Sequence, residues 1–241
     1  MSKWTTKWDL HEAGLGNRML AMPRRQGFLS CITKAERGYG KSMYNIMSMA
    51  YVFYHYLGCT EDEAWRHALD NIIFTPDELM NRVEQNIYQD KISLAWCIDD
   101  ATVHFSSYLY FINLYQTSLL NAAFDTMRTV VHSLLINCPN KSRLLSGLRN
   151  YDDYEVTLYI TDKYDRKAVG IKWYSLPDGH RKFRKEFEDA FSVFVPNWVY
   201  DEYMILRKRY LKEISEELKR LRDQLTQKKA LEKTVTAPVS S

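Results

Sequence analysis

Lys41 and Ser42 close the stretch Ala35-Glu36-Arg37-Gly38-Tyr39-Gly40-Lys41-Ser42. It matches the phosphate-binding loop pattern G-x-x-x-x-G-K-[ST] at every fixed position except the first, where Ala35 replaces Gly. In such a loop, backbone N–H groups and the N-terminus of the following helix cradle phosphate oxygens. Lys41 would reach the β- and γ-phosphates and the Ser42 hydroxyl would sit on Mg²⁺. The candidate nucleotide contacts are therefore Ala35, Glu36, Arg37, Gly38, Tyr39, Gly40, Lys41, Ser42 and Met43. Arg37 and Tyr39 are not fixed by the pattern and face either a partner or solvent. Ala35 would be strained if the loop demanded positive φ there.

Fifty residues after Ser42, the apolar run Ile92-Ser93-Leu94-Ala95-Trp96-Cys97-Ile98 ends in Asp99-Asp100. A strand closing on two carboxylates suits Mg–nucleotide chemistry: one holds the metal and its neighbour polarises an attacking water. Asp99 is assigned to the metal and Asp100 to the base. A third candidate is Asn137, at the end of the run Thr129–Ile136, where it either contacts a γ-phosphate or lytic water, or starts the turn before Pro139. Arg128, Arg143 and Arg149 are candidates for stabilising transition-state charge, with surface positions the alternative for each.

These residues need elements to hold them. Phe28–Thr33 reads as a strand into the loop, and Lys41–Leu57 as a helix that stops at Gly58. Thr60 and Glu63 form a capping box for a helix running to about Leu69. Asn71–Thr75 is predicted as a strand, Asp77–Asn86 as a helix after Pro76, Phe105–Met127 as a helix and Thr129–Ile136 as a strand. This alternation predicts a parallel sheet covered by helices on both faces. Tyr154–Ile160 and Lys167–Tyr174 read as an antiparallel hairpin, ended by Pro177-Asp178-Gly179. That hairpin either extends the sheet edge or projects as a wing carrying Lys163, Arg166 and Lys167 towards DNA.

From Asn197 to about Leu231 a long charged helix is predicted, with Leu211, Ile214, Leu218, Leu221 and Leu225 at spacings of three and four. Its basic groups track phosphates or form one sign of a mixed, solvated face. The chain thus divides into 1–195, a helix over 196–233 and a disordered tail over 234–241.

At 241 residues, with 46% hydrophobic and 26% charged side chains, the composition is globular. A net charge of +3 is too small to argue for nucleic acid by itself. No apolar run is long enough to span a membrane and no signal-peptide core is present, so a cytoplasmic location is expected. Cys31, Cys59, Cys97 and Cys138 lack metal-ligand spacing and read as small packed residues.

The loop at 35–42 and the strand end Asp99-Asp100 together resemble the P-loop NTPase superfamily, on its additional-strand ATPase side. The chain looks most like the small ATPases of archaeal viruses and plasmids, some DnaA-like and some serving DNA packaging or transfer. The resemblance implies an extra strand between the phosphate-loop strand and the acidic strand, a place that the run Ile72–Thr75 would fill. It also implies ATP and Mg²⁺ as ligands, hydrolysis coupled to DNA work in the host cytoplasm, and a homo-oligomer. The rivals are a P-loop kinase of a small molecule and a degenerate, non-catalytic binding module.

Overall fold

The computed structural model describes residues 14–102, 105 and 114–235. The elements run α1 (Gly14–Arg24), β1 (Leu29–Lys34), α2 (Lys41–Leu57), α3 (Glu61–Asp70), β2 (Ile72–Ile73), α4 (Pro76–Tyr88) and β3 (Trp96–Ile98). They continue as α5 (Leu114–Val130), β4 (Ser133–Cys138), α6 (Ser146–Arg149), β5 (Tyr154–Ile160), β6 (Asp165–Ser175), β7 (Arg181–Ser192) and α7 (Asn197–Val235). The seven strands form one sheet in the order β2-β3-β4-β1-β5-β6-β7. The first five strands in that order pair in parallel, and β6 and β7 add antiparallel.

Side-chain alternation along the strands separates two layers. Ile32, Trp96, Ile98, Leu134 and Ile136 point into a core shared with Leu79 and Val83 of α4 and with Leu120, Phe124 and Met127 of α5. The opposite face is covered by α2, an unusually buried helix whose residues Met43 to Phe53 are all inside. That pattern follows from its sequence, which carries no acidic or basic residue between Lys41 and His55. Gly58 ends α2 in the left-handed conformation, with its N–H donating to the Tyr54 carbonyl. Thr60 and Glu63 form the expected capping box on α3.

Several expectations are corrected. The extra strand beside the phosphate-loop strand is β4, not the run Ile72–Thr75. That run shrinks to the two-residue β2 at the sheet edge. Linear order carries no information on sheet order, so the parallel register had to decide it. The run Ile92–Ile98 forms strand only from Trp96; Ser93 makes an isolated bridge to Val131, and Ile92 is half exposed. Thr129 and Val130 belong to α5 rather than to a strand, because the amphipathic helix continues to Val130, which is buried in its core, while Thr129 sits on its exposed face. Most of the stretch 105–113, the first part of the helix predicted from Phe105, lies outside the described residues.

The largest omission is β7. The segment Arg181–Ser192 is charge-rich and its Phe183, Phe187 and Phe191 recur every four residues, which obscures a strand. With β5 and β6 it makes a three-stranded meander instead of a hairpin. A register shift between Gly170 and Ile171 leaves Glu186 as an extra residue, and the Phe187 ring lies where a Cβ on Gly170 would sit. The meander curls back over α1 and α2. Buried Asp189 accepts from the Gly14 N–H (2.5 Å), the Leu15 N–H (3.2 Å) and the Tyr44 hydroxyl (2.6 Å), capping α1 from a distant strand. Burial raises the Asp189 carboxyl above its ordinary range even against those three donors.

The chain divides into two compact units at Val195/Pro196. The second contains α7, which runs from Asn197 to Val235. In it Leu211 is half exposed. The side chains of Leu218, Leu221 and Leu225 lie outside the described residues, as do 236–241.

Where β1 meets β5, Glu155 is buried between Lys34 and Lys141, and Lys141 also pairs with Asp152. Burial would raise the Glu155 carboxyl, but the hydrogen bonds from Lys141 and Lys34 outweigh it and hold the group below its usual 4.5. A depressed carboxylate stabilises the fold fully above its unfolded value and loses that contribution as pH falls through its folded one. Glu155→Gln should therefore cost about 1–3 kcal/mol at neutral pH. In urea unfolding followed against pH, the gap to wild type should shrink only below about pH 4.5.

Candidate functional site

The loop from Ala35 to Gly40 leaves β1 at its carboxyl end and delivers the chain to the first turn of α2. Gly40 sits at the N-cap with φ 87°, and no side chain caps the helix there. Gly38 is also left-handed, at φ 83°, whereas Ala35 is not among the residues with positive φ. The replaced glycine is thus at a position whose backbone any residue adopts. Gly40 has a second constraint: a Cβ there would meet Val193 Cγ1 at 2.7 Å. The loop's inner wall is therefore built partly by the residue that follows β7.

Lys41 folds back over the loop, its Nζ donating to the carbonyls of Ala35 and Glu36, both at 2.8 Å. Ser42 donates its hydroxyl to Asp99, 3.0 Å from Oδ1 and 3.1 Å from Oδ2. The side chains from the phosphate loop and from the acidic strand, 57 residues apart, are in direct contact. Glu36, Arg37 and Gly38 are exposed, and Tyr39 is partly so. The Met43 side chain is buried, which leaves only its backbone N–H for a ligand.

Asp99 is 2% exposed and its Oδ1 also accepts from Asn137 Nδ2 (2.8 Å) and the Asp100 N–H (3.0 Å). Asn137 in turn accepts at Oδ1 from Asn45 Nδ2 (2.8 Å), and Asn45 accepts from the Thr33 hydroxyl (2.9 Å). Thr33 lies opposite Asn137 in the β1–β4 register, and Cys97 Sγ completes the cluster at 3.7 Å from Asn45 Nδ2. Burial among these groups pushes the Cys97 thiol well above its ordinary value, keeping it an inert packed sulfur.

Asn137 therefore does not start the turn before Pro139; the 3-10 turn after the proline is capped by Asn140, its Oδ1 accepting from the Ser142 N–H. Asp100 turns off the strand with φ 47°, a conformation uncommon for a residue other than glycine. Asn45 and Thr33 were not singled out from the sequence. The available signal was an amide in the middle of an otherwise apolar helix, which demands a buried partner.

The arginines do not gather here. Arg128 lines a concavity with Gln26, Phe28, Asp125, Tyr151 and Asp153, at the start of β1 and so at the opposite end of that strand from the loop. Arg143 and Arg149 are exposed on the turn and short helix after β4. Of the two readings of the hairpin, the structure takes the sheet-edge one, with β5 and β6 in the sheet, and does not free Lys163, Arg166 and Lys167 as a wing. Arg166 is buried and donates to the carbonyls of Asp162, Lys163 and Asp165, and Lys167 pairs with Glu188 at 2.5 Å. Lys163 lies over the Tyr164 ring.

Magnesium demands oxygen ligands at 2.0–2.1 Å in an octahedron, so neighbouring ligand oxygens lie about 2.9 Å apart. The Ser42 hydroxyl and the Asp99 carboxylate, at 3.0 and 3.1 Å, fit as such a neighbouring pair. Among the described residues no group of three or more His, Cys, Asp or Glu side chains could hold a metal alone.

The two ends of the loop make opposite demands on mutation. Gly40→Ala should impair nucleotide binding at least tenfold, through the strained φ and the clash with Val193. Ala35→Gly should leave binding within about twofold of wild type and lower stability by about 0.4–1 kcal/mol through unfolded-state entropy. Titration with a fluorescent ATP analogue and thermal unfolding measure the two effects.

No protein-family profile matches the chain. Uncharacterized protein B-251 of Sulfolobus spindle-shape virus 1 is 23% identical over 233 residues, covering 87% of this chain and 85% of that protein. Among solved structures, the ATPase domain of G40P superposes with a TM-score of 0.37 and 10% identity, over 71% of this chain and 86% of that one. That likeness is too loose to bear on the chemistry. Among the described residues no helix is long and apolar enough to cross a membrane.

Proposed function

We propose that this chain is a Mg²⁺-dependent ATPase acting on the DNA of a mobile genetic element, in its replication, partition, transfer or packaging. The observation that carries the reading is the contact of Ser42 with both Asp99 oxygens beside a lysine folded over a left-handed glycine loop. Ser42 and Asp99 would hold the ion, which when bound neutralises charge developing on the phosphates.

The other roles follow from position. The N-terminus of α2 and the loop N–H groups receive phosphate oxygens, and Lys41 exchanges the Ala35 and Glu36 carbonyls for the β- and γ-phosphates. Asp100, one residue beyond the metal carboxylate, is the base that would take a proton from the attacking water. Asn137 is better described as a positioning residue than as a catalytic one: Asn45 occupies its oxygen while its amide fixes Asp99. A cytoplasmic homo-oligomer, with an arginine supplied by a neighbouring subunit, would complete the site. The viral relative supports the setting in a mobile element.

Two observations favour this reading over its rivals. A kinase lid must move over the phosphates, but the segment after β4 is pinned by Leu144, Leu145 and Leu148, all buried in the core. A degenerate loop would be strained at Ala35, and the backbone there is not left-handed.

Phosphate release from ATP, with and without DNA, tests the proposal. Lys41→Ala and Asp99→Asn should each lower turnover by about 10²-fold or more, the scale for removing a preorganised charge or ligand. Turnover unchanged in Lys41→Ala, or turnover that requires a small-molecule acceptor, would overturn it.

A further inference from the structure

The antiparallel pair β6–β7 is longer than the strand beside it. Pairing between β5 and β6 ends at Glu155↔Ile171, while β6 and β7 stay paired to Ser175↔Arg181. Residues from Lys172 to Arg184 therefore form a two-stranded ribbon past the sheet. It is closed by a turn in which the Leu176 N–H donates to the His180 carbonyl and Gly179 has φ 82°.

Its composition is unlike the rest of the chain. Between Ile171 and Lys185 stand Lys172, Arg181, Lys182, Arg184 and Lys185 against the single carboxylate Asp178, a local charge of +4. Since the whole chain is +3, the remainder is −1. Lys172 and Arg184 are directly opposite in the register, an arrangement that destabilises a free ribbon. Glu186 offsets it by pairing with Arg184 at 2.7 Å. On the other face Trp173 and Phe183 make a cross-strand pair, ring centroids 5.4 Å apart, with the Arg181 guanidinium over the indole. Such a pair strengthens a hairpin by itself, but Phe183 remains 63% exposed and residues 181–185 are all exposed.

An exposed Phe183 ring beside the partly exposed Trp173, flanked by cations, matches a polyanion whose repeating unit has a flat face. From this geometry we infer that the β6–β7 ribbon is a single-stranded nucleic-acid binding site, with bases stacking on Trp173 and Phe183, one phosphate meeting Arg181 on that same face and another meeting Lys182, on the opposite face, where the strand passes over the ribbon edge. The inference rests on the proposed function for the kind of polymer, and on the ribbon alone for its location.

Binding of the full chain, without nucleotide, to labelled oligothymidine of about twenty nucleotides tests it by anisotropy across a salt series. Arg181→Glu with Lys182→Glu should weaken binding at least tenfold and flatten the log–log salt slope by about 1.4. Trp173→Ala with Phe183→Ala should weaken it about tenfold or more, with the slope unchanged. Circular dichroism of both variants should match wild type, since the mutated side chains lie beyond the core. Equal binding by the variants, tighter binding to a duplex of the same length, or capture by phosphatidylserine vesicles in preference to the oligonucleotide would overturn the inference. Lys41→Ala should retain oligonucleotide binding while losing hydrolysis. Failure of the ribbon variants to matter, with hydrolysis intact, thus sinks this inference alone. Absence of ATP hydrolysis, with ribbon-dependent binding, sinks the proposed function alone.

Discussion

A continuous chain of hydrogen bonds, buried from Thr33 through Asn45 and Asn137 to Asp99 and part-buried where it reaches Ser42, holds the centre of this molecule. Its members come from β1, α2, β4, the end of β3 and the first turn of α2. Each amide has its oxygen and nitrogen committed in one sense, so the chain closes only if all four elements keep one register. An unpaired polar group at such depth costs about 1–3 kcal/mol, and Thr33, Asn45 and Asn137 are at most 1% exposed. A slip of one residue in β4 would carry Asn137 to the α5 side of the sheet and strand both Asn45 and Asp99. The polar chain thus specifies the strand order as much as the apolar layers stabilise it.

The meander adds a second dependence. β7 presents Phe191 to Tyr44 and Asp189 to the first residues of α1, and just beyond it Val193 abuts Gly40. At its other end the same strand enters the basic ribbon. A strand of 12 residues spans about 40 Å, so one element reaches from the wall of the glycine loop to the ribbon proposed to bind nucleic acid. The Glu186 bulge lets that element bend over α1 on one side of the irregularity and leave the sheet on the other.

Legibility differed among elements for physical reasons. The glycine loop between β1 and α2, the capping box at Thr60 and the stop at Gly58 were legible because each is a local backbone requirement met by neighbouring residues. β7 was not, since its buried positions hold Asp189 between Phe187 and Phe191 and its exposed positions hold mostly one charge sign. Both features have meaning only against α1 and the neighbouring strands. The boundary at Thr129–Val130 failed similarly, where the β-branched Val130 serves a helix because that helix has a core to face. Of the site, the residues at the motif positions were legible, while Asn45 and Thr33 were silent. A lone amide in an apolar helix does not say with whom it pairs.

The sequence by itself determined that a strand, a glycine loop and a helix would follow one another with Lys41 and Ser42 at the junction, because those choices are made within a few residues. It also determined that Asp99 would end an apolar strand. Only the tertiary structure decided that β4 would separate that strand from β1, that Asn137 would face Asp99 and not the Pro139 turn, and that cations at 172–185 would share one ribbon. Those outcomes depend on pairing between residues far apart in the chain, and their energies are set by burial and register that no local pattern encodes.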